Sequence, residues 1–288
     1  MGVGESASAQ GMLIVNGSGA VVNLGTTTGG AGIGNSGTGS LLVEGGGAMT
    51  LQATGMGIGN STGGVGSVTV TGTGSTVIAL GATGGIAVGN VGTGMLTVNA
   101  GGAVSAAAGL FIGSDGTSSS NGTATVGGTG GLSGGAVTAG AIDVGAAFTG
   151  TGGTGVLNIL GGGTVTDTAS SLGVIVGLGS GTSGSITVNG GSLLANNNLI
   201  AFGTSSGTGN LLVENSGLVS FSSSFVIGNG GIGSATIESG GQLSDSGTSF
   251  INVGSNTGGS GTPVSYTHLD VYKRQVPITT GTPPATGT

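Results

Sequence analysis

Side chains that could take part in catalysis are scarce in this chain of 288 residues. It holds nine acidic residues, two basic residues and one histidine, whereas glycine occupies 74 positions. A nucleophilic triad needs a base, and the one histidine, His268, lies beside Lys273 and Arg274 in a block unlike the rest of the chain. Hydrolases and lyases that act on polysaccharides need clustered carboxylates or basic groups, and we expect the aspartates to lie far apart. These aspartates are Asp115, Asp143, Asp167 and Asp245. We therefore predict no catalytic residue and no enzyme.

Two glutamates form the best candidate for a cation site. Glu214 and Glu238 each follow a short apolar run, in neighbouring copies of the repeat described below. They could lie about 5 Å apart on an outer surface and share a cation. Such pairs are more often simply solvated, so we predict no metal site and no cofactor.

Binding to nucleotides, nucleic acids or membranes finds little support in the sequence. Residues 32–37 match the spacing Gly-x-Gly-x-x-Gly, but chance explains the match in a chain so rich in glycine, and no helix follows to hold a phosphate. The formal net charge is −7, which provides no basic surface for nucleic acids or anionic lipids. No run of about 18 apolar residues is present to insert into a bilayer.

A short motif, in which an alternating apolar run ends in glycine, recurs along the chain. Such repeats are typical of solenoids. The motif occurs at residues 31–34, 56–59, 86–89, 110–113, 142–145, 174–177, 200–203, 225–228 and 251–254.

A second alternating motif lies between the copies of the first, and a third apolar point follows it. The second motif occurs at residues 13–15, 41–43, 68–70, 96–98, 124–126, 157–159, 186–188, 211–213 and 235–237. The third point is represented by Val77, Val104, Val165, Leu193 and Leu243. The repeat is roughly 28 residues long, with a stretched copy near residues 127–155 and two shorter copies after Val188.

Three short strands in each repeat predict an all-β fold, a right-handed parallel β-helix of about nine coils. The first and third residues of each motif should point inward and the middle residue outward, with glycines at the corners. A helical fold is excluded because no window shows 3.6-residue spacing and glycine is so frequent. A disordered chain is disfavoured because random glycine-rich tracts would not keep the two motifs at a regular spacing.

The repeat resembles that of a known group of bacterial proteins. Residues 87–104 read Ala-Val-Gly-Asn-Val-Gly-Thr-Gly-Met-Leu-Thr-Val-Asn-Ala-Gly-Gly-Ala-Val. This segment resembles the repeat shared by type V secretion (autotransporter) passengers and PEP-CTERM proteins, although Thr76 stands where that repeat commonly has tryptophan. The resemblance covers about residues 3–262. It implies an extracellular or cell-surface β-helix without catalytic residues, together with an outer-membrane barrel or a surface anchor elsewhere in the protein.

The C-terminal segment differs from the repeats. Residues 264–275 contain every lysine, arginine, histidine and tyrosine of the chain, and they resemble the translation of two facing sequencing-library adapters. We interpret this block as an assembly artefact; the alternative is a basic, aromatic site around His268. The predicted organisation is a β-helix over residues 1–262 and a non-repeat tail over 263–288, of which 276–288 is linker-like or unrelated. Since residues 1–4 look like the end of a first motif, we also expect the chain to be a fragment.

The leading functional hypothesis is a structural or adhesive scaffold on the bacterial surface, whose partners would be host or neighbouring-cell glycans or proteins. One alternative is the non-catalytic part of a carbohydrate-active β-helix enzyme. The other is an ice-binding β-helix, indicated by outward threonines such as Thr69 and Thr71. It requires a regular threonine face, which Ile14 and Leu42 interrupt.

Overall fold

The chain folds into β-strands joined by tight turns. A computed structural model describes residues 1–25, 30–81, 85–114, 120–128, 134–147, 152–169, 173–195, 199–238, 240–247, 250–265 and 279–280. Within these ranges every regular element is a strand. No helix in this part of the chain is long and apolar enough to cross a membrane.

The strands follow one another in groups of three. The first fifteen are β1 (Gly2–Val3), β2 (Gln10–Asn16), β3 (Val21–Leu24), β4 (Ala31–Ile33), β5 (Thr38–Glu44), β6 (Ala48–Leu51), β7 (Met56–Ile58), β8 (Val65–Thr71), β9 (Thr76–Ala79), β10 (Ile86–Val88), β11 (Thr93–Asn99), β12 (Ala103–Ala106), β13 (Leu110–Ile112), β14 (Asn121–Val126) and β15 (Ala136–Ala139). The remaining strands are β16 (Ile142–Ala146), β17 (Thr154–Ile159), β18 (Thr164–Asp167), β19 (Val174–Leu178), β20 (Ser183–Asn189), β21 (Ser192–Ala195), β22 (Ile200–Thr204), β23 (Thr208–Glu214), β24 (Leu218–Phe221), β25 (Phe225–Asn229), β26 (Ile232–Ile237), β27 (Gln242–Asp245), β28 (Ile251–Ser255), β29 (Ser260–Ser265) and β30 (Thr279–Thr280).

Every third strand joins the same parallel sheet. The first sheet runs β1-β4-β7 and onward through β28 to β30, the second runs from β2 to β29, and the third from β3 to β27. Among the described residues this gives nine complete three-strand coils, from β1–β3 to β25–β27. The prediction of a parallel β-solenoid with a repeat of roughly 28 residues is therefore confirmed.

The register also confirms the irregular copies. Asn121 pairs with Thr154 across the stretched coil. Val188 pairs with Val213, and Val213 with Ile237, across the two short coils. Each strand thus keeps its place in the ladder, because additional or missing residues are absorbed by the turns.

The core is a set of apolar columns inside the coils. In the second motif the first and third residues are buried, as Leu41 and Val43 show, while the middle residue Leu42 lies on the outer side. Near the C-terminal end the interior contains Phe202, Phe221 and Phe225, whose ring centroids lie 5.5 Å (Phe202–Phe225) and 5.2 Å (Phe221–Phe225) apart. Larger side chains therefore fill the interior where the coils contain fewer residues.

The outward position of the first sheet departs from the prediction in the later coils. The middle residues Asp143, Ile175, Ala201 and Val226 stay in one register column on the outer side, yet each is buried. Three of them are apolar and follow one another at the spacing of the ladder, so they help to remove each other from water. Strand alternation predicted the direction of these side chains correctly but not their burial.

Each turn from the first sheet to the second begins with a glycine in the left-handed region. These corner glycines have φ between 58° and 76°. They are Gly4, Gly34, Gly59, Gly89, Gly113, Gly145, Gly177, Gly203, Gly228 and Gly254. At Gly89 a Cβ atom would collide with the carbonyl of Asn121, the first residue of β14 in the following coil. The corner therefore requires glycine both for its backbone conformation and for the close approach of the next coil.

The second sheet extends slightly beyond the predicted boundary at residue 262. Strand β29 pairs with β26 through Ser265, so the ladder includes Pro263 and Val264. The block predicted to be an artefact lies mostly outside the described residues, and its origin stays a prediction.

Replacing a corner glycine should destabilise the chain far more than replacing an outward one. We expect Gly89→Ala to lower the free energy of unfolding by at least about 2 kcal/mol, because the methyl group is strained and collides with backbone. Gly32→Ala is the control, since its Cβ would meet no atom closer than 3.7 Å. Urea unfolding followed by circular dichroism measures both variants. Equal midpoints would contradict the role assigned to the corner.

Candidate functional site

The outer face of the first sheet changes character along the solenoid axis. Its outward column begins with the three glycines Gly2, Gly32 and Gly57, and continues with Ala87 and Phe111. The next positions are the buried residues described above. The face is therefore open at the N-terminal coils and buried in the later ones.

An open cavity of about 500 Å³ lies over the three outward glycines. We call it the glycine groove: Gly2, Gly32 and Gly57 form its floor. Its walls are formed by Gly30, Ala31, Thr54 and Gly55 on one side and by Glu5, Asn35 and Asn60 on the other, with Met1 at the end. No side chain rises from the outward position of these strands, and the space over two of the glycines is taken by corner side chains, since Glu5 lies over Gly2 and the Asn60 carboxamide lies over Gly57.

The polar wall of the groove is a hydrogen-bonded ladder of asparagines. Asn90 Nδ2 donates to Asn60 Oδ1 at 3.1 Å, and Asn60 Nδ2 donates to Asn35 Oδ1 at 2.9 Å. Asn35 Nδ2 in turn donates to Glu5 Oε2 at 3.4 Å. We call Asn35, Asn60 and Asn90 the amide ladder. Its links hold each carboxamide in one orientation.

The local sequence explains where the amide ladder lies. Each asparagine directly follows a corner glycine, so the turn brings its side chain back over the strand just completed. A Cβ at Gly57 would collide with the Asn60 carboxamide, which shows how closely that group lies over the outward position. The outward glycine of the strand therefore leaves the space that the asparagine side chain at the corner occupies.

The match to Gly-x-Gly-x-x-Gly at residues 32–37 belongs to this arrangement of glycine and asparagine. Gly34 is a corner glycine and Asn35 belongs to the amide ladder. The pattern Gly/Ala-x-Gly-Asn recurs at residues 32–35, 57–60 and 87–90, and this recurrence was the signal that could have identified the asparagines from sequence. A single occurrence is uninformative, whereas recurrence at the coil spacing indicates stacking.

An aromatic ring lies beyond the glycine groove. Phe111 follows Ala87 in the outward column and is half-buried. A Cβ at Gly85 or Gly109 would collide with this ring, so the ring lies across the turns that lead into β10 and β13. The open face thus ends at an accessible aromatic surface.

Two of the aspartates that we expected to lie apart are close in space. The Asp143 side chain is 3% exposed and Asp167 is fully buried. Asp167 Oδ1 accepts a hydrogen bond from the backbone N–H of Ala169 at 3.0 Å. Burial, and secondarily the charge of Asp167, raises the pKa of Asp143 to about 7. Asp167 ends the strand that leads into β19, and β19 pairs with the strand of Asp143, which explains their proximity.

The glutamate pair occupies the predicted backbone positions. The Val213–Ile237 pairing places Glu214 and Glu238 in successive coils, and the Glu238 N–H donates to Val213 O at 2.9 Å. The Glu214 carboxylate, however, accepts from Asn189 Nδ2 at 2.8 Å. The described part of the chain holds no cluster of three or more residues of the types that bind metals.

Of the other candidate residues, Asp245 lies where β27 ends in a turn. Asp245 Oδ1 accepts from the backbone N–H of Gly247 at 2.8 Å, which stabilises a turn. Asp115, His268, Lys273 and Arg274 lie outside the described residues.

Comparisons with known proteins add little. A scan against protein-family models and a search of curated proteins return no match. A search of solved structures finds the crystal structure of a TibC-catalyzed hyper-glycosylated TibA fragment, at 19% identity over 94% of this chain and 98% of that one. The TM-score is 0.33, and a similarity at this level carries no argument about function.

The buried carboxyl of Asp143 predicts a stability that falls as the pH rises. The folded state keeps this proton up to about pH 7, whereas the unfolded state loses it near 3.8, so stability declines between these values and stays reduced above them. The slope is at most about 1.4 kcal/mol per pH unit. Asp143→Asn should remove this decline and unfold at higher urea than the parent at pH 8, but not at pH 3.

Glu238→Gln is the matched control for the loss of one negative charge, because Glu238 is only partly buried. Urea unfolding at several pH values compares the three proteins. If Asp143→Asn and Glu238→Gln shift the midpoints alike at pH 8, burial of Asp143 does not determine the effect.

Proposed function

We propose that this chain is part of a structural and adhesive scaffold exported to the bacterial surface. The observation that supports the proposal best is the unbroken parallel ladder of all three sheets through nine coils. A solenoid of this kind is rigid along its axis, since each coil is hydrogen-bonded to both neighbours. Its length is suited to presenting binding surfaces at a distance from the cell.

The outer surface fits the same proposal. The outward column of the second sheet carries hydroxyls on consecutive strands, with Thr69 paired to Thr97 and Thr97 to Thr125. Side-chain hydrogen bonds also link neighbouring coils, as between Asn16 and Glu44 at 2.8 Å. Such a surface carries few charges and would make many weak contacts, which become strong through multivalency. Glycans or proteins of host or neighbouring cells are the proposed partners.

The two alternatives are less well supported. The carboxyls that come together, Asp143 and Asp167, are buried and do not face an open cleft, which disfavours a polysaccharide-cleaving site. An ice-binding face needs a regular threonine array, and the same outward column contains Leu42, Asn158 and Leu212. We therefore propose a role without catalysis.

The scaffold role predicts that whole coils can be removed but fractions of a coil cannot. Thr38 pairs with Val65 and Val65 with Thr93, so deletion of residues 65–92 lets β11 take the place of β8. We expect this variant to keep its β-sheet circular dichroism and to be shorter by about 4.8 Å, one strand spacing, in small-angle scattering. Deletion of residues 65–78, half a coil, should abolish folding. Equal loss of structure in both variants would contradict the modular scaffold.

The adhesive role predicts binding without turnover. We expect cells displaying the 288-residue chain on a heterologous outer-membrane anchor to attach to glycan-coated surfaces under flow. Attachment should increase more than proportionally with the number of displayed copies, because multivalent contacts reinforce each other. Release of soluble sugars from the coating, or attachment no greater than that of cells with the anchor alone, would contradict the proposal.

A further inference from the structure

We propose that two copies of this chain associate side by side through the outer face of the second sheet, with their axes running in the same direction. For its role on the cell this inference rests on the proposed function, and it assigns that face a partner. It is carried by the composition of the face, by its area and by the position of the nearest acidic side chains.

The outer face of the second sheet carries no charged side chain along three of its outward columns. We call these columns the neutral face; each crosses all ten described strands from β2 to β29. The columns start at Gln10, Met12 and Ile14 and end at Ser260, Thr262 and Val264. Every residue in them is threonine, serine, asparagine, glutamine or apolar. Since the chain has a formal net charge of −7, two copies repel each other least through this face.

Apolar side chains are exposed on the neutral face from its first coil to its ninth. Nine large apolar side chains of the described residues are exposed, and five of them lie on this face. These five are exposed by 46% to 63% and are Met12, Ile14, Val65, Met95 and Ile232. A single apolar side chain at a protein surface needs no explanation, whereas several on one uncharged face are typical of the core of an interface.

The area of the neutral face is sufficient for a stable dimer. Ten strands at a spacing of about 4.8 Å extend over about 43 Å, and the five residues from the first to the third column extend over about 16 Å. The face therefore measures about 700 Å² on each copy, or about 1,400 Å² in total, which is the size of an ordinary specific interface. A hydroxyl-rich face is also complementary to itself, because each hydroxyl group both donates and accepts hydrogen bonds.

Three glutamates lie along one long side of the neutral face. Glu44 and Glu214 are the last residues of β5 and β23, two positions beyond the third column. Glu238 directly follows β26 at the equivalent position. They belong to the second, eighth and ninth strands of the sheet. An uncharged centre with a charged rim is the usual anatomy of a protein interface.

These glutamates determine the relative direction of the two copies. If the axes ran in opposite directions, the second strand of one copy would lie over the ninth strand of the other, and Glu44 would face Glu238. If the axes run in the same direction, each strand lies over its own counterpart, and the glutamate side lies over the turns that precede the strands. In the coils of Glu44 and Glu214 those turns contain the uncharged Ser36 and Ser206. The parallel arrangement therefore avoids like-charge contacts.

The parallel arrangement also specifies which side chains meet. Each strand crosses its counterpart in the opposite direction, so the middle column contacts itself and the first column contacts the third. Met95 then contacts its own counterpart in the second copy, and Thr93 lies opposite Thr97. In β20 Ser183 likewise lies opposite Thr187. In these strands apolar groups meet apolar groups and hydroxyl groups meet hydroxyl groups.

Sedimentation equilibrium of the whole 288-residue chain tests the association. We expect a monomer–dimer equilibrium with a dissociation constant below about 100 μM, because the interface is of ordinary size. A chain that stays monomeric at a concentration of about 500 μM would overturn the inference and would leave the neutral face to a partner of another class.

Met95→Lys tests whether the neutral face forms the contact. Two lysines would meet at the interface, so the dissociation constant should rise at least about tenfold. Ser105→Lys is the matched control, because it adds the same charge to the outer side of the third sheet in the same coil. Circular dichroism should show the parent's β-sheet spectrum in both variants. Equal dissociation constants of the two variants would overturn the inference.

Cysteine cross-linking tests the relative direction of the copies. The chain has no cysteine, so each variant introduces a single thiol. With an added oxidant, the Met95→Cys variant should form a disulfide-linked dimer with itself, whereas Ser105→Cys should not. In the opposite arrangement β11, the fourth strand, would lie over β20, the seventh. Preferential linkage of Met95→Cys to Ser185→Cys in a mixture of the two would therefore overturn the parallel arrangement.

Cell attachment separates this inference from the proposed function. If the chain dimerises in solution but the displaying cells do not attach to glycan-coated surfaces, the adhesive function fails and the inference stands. If the cells attach while the chain stays monomeric, the inference fails and the adhesive function stands.

Discussion

The structure depends on the absence of a side chain at one corner of every coil. In nine of the ten corner glycines, a Cβ atom would overlap the carbonyl of the residue that begins the next second-sheet strand. The backbone there is also left-handed, which few other residues adopt. This contact lies between coils and not within one. It allows the first and second sheets to keep the same strand spacing around a sharp corner, and so allows all three ladders to run in parallel.

The residue that follows the corner glycine affects which groups cover the outer face of the first sheet. Where asparagine follows the corner glycine, as at Asn35 and Asn60, the side chain meets its counterpart one coil away and an amide ladder forms. From β16 onward most first-sheet strands contain five residues and continue past the corner glycine. There the outward positions are occupied by residues such as Ile175 and Val226, which are buried. The same backbone geometry is therefore compatible with a partly exposed polar face in the N-terminal coils and with a buried apolar column in the later coils.

The sequence predicted the features that recur in every coil. Alternation in the motifs around Leu41 and Val43 identified the inward columns, and the period located the strands, including the stretched and shortened copies. Contacts between side chains that are distant in the sequence were not predicted. Asp143 and Asp167 are 24 positions apart, and their proximity follows from the pairing of β16 with β19 rather than from either local pattern. The role of Asn35 was missed for a related reason, because a lone Gly-x-Gly-Asn segment gives no indication that a second asparagine stacks on it.

The fold also explains how a chain with so few charges could bind a partner selectively. Long, charged side chains such as lysine and arginine lose much rotamer freedom when a contact orders them. In the N-terminal coils the polar groups on the outer face of the first sheet are short carboxamides and backbone, and coil-to-coil hydrogen bonds already restrict the carboxamides. In a site built from such groups, each contact would contribute little binding free energy, but little side-chain entropy would be lost on binding. Weak sites on a rigid, surface-bound rod become effective when many rods act together, which requires stiffness and abundance rather than a catalytic centre.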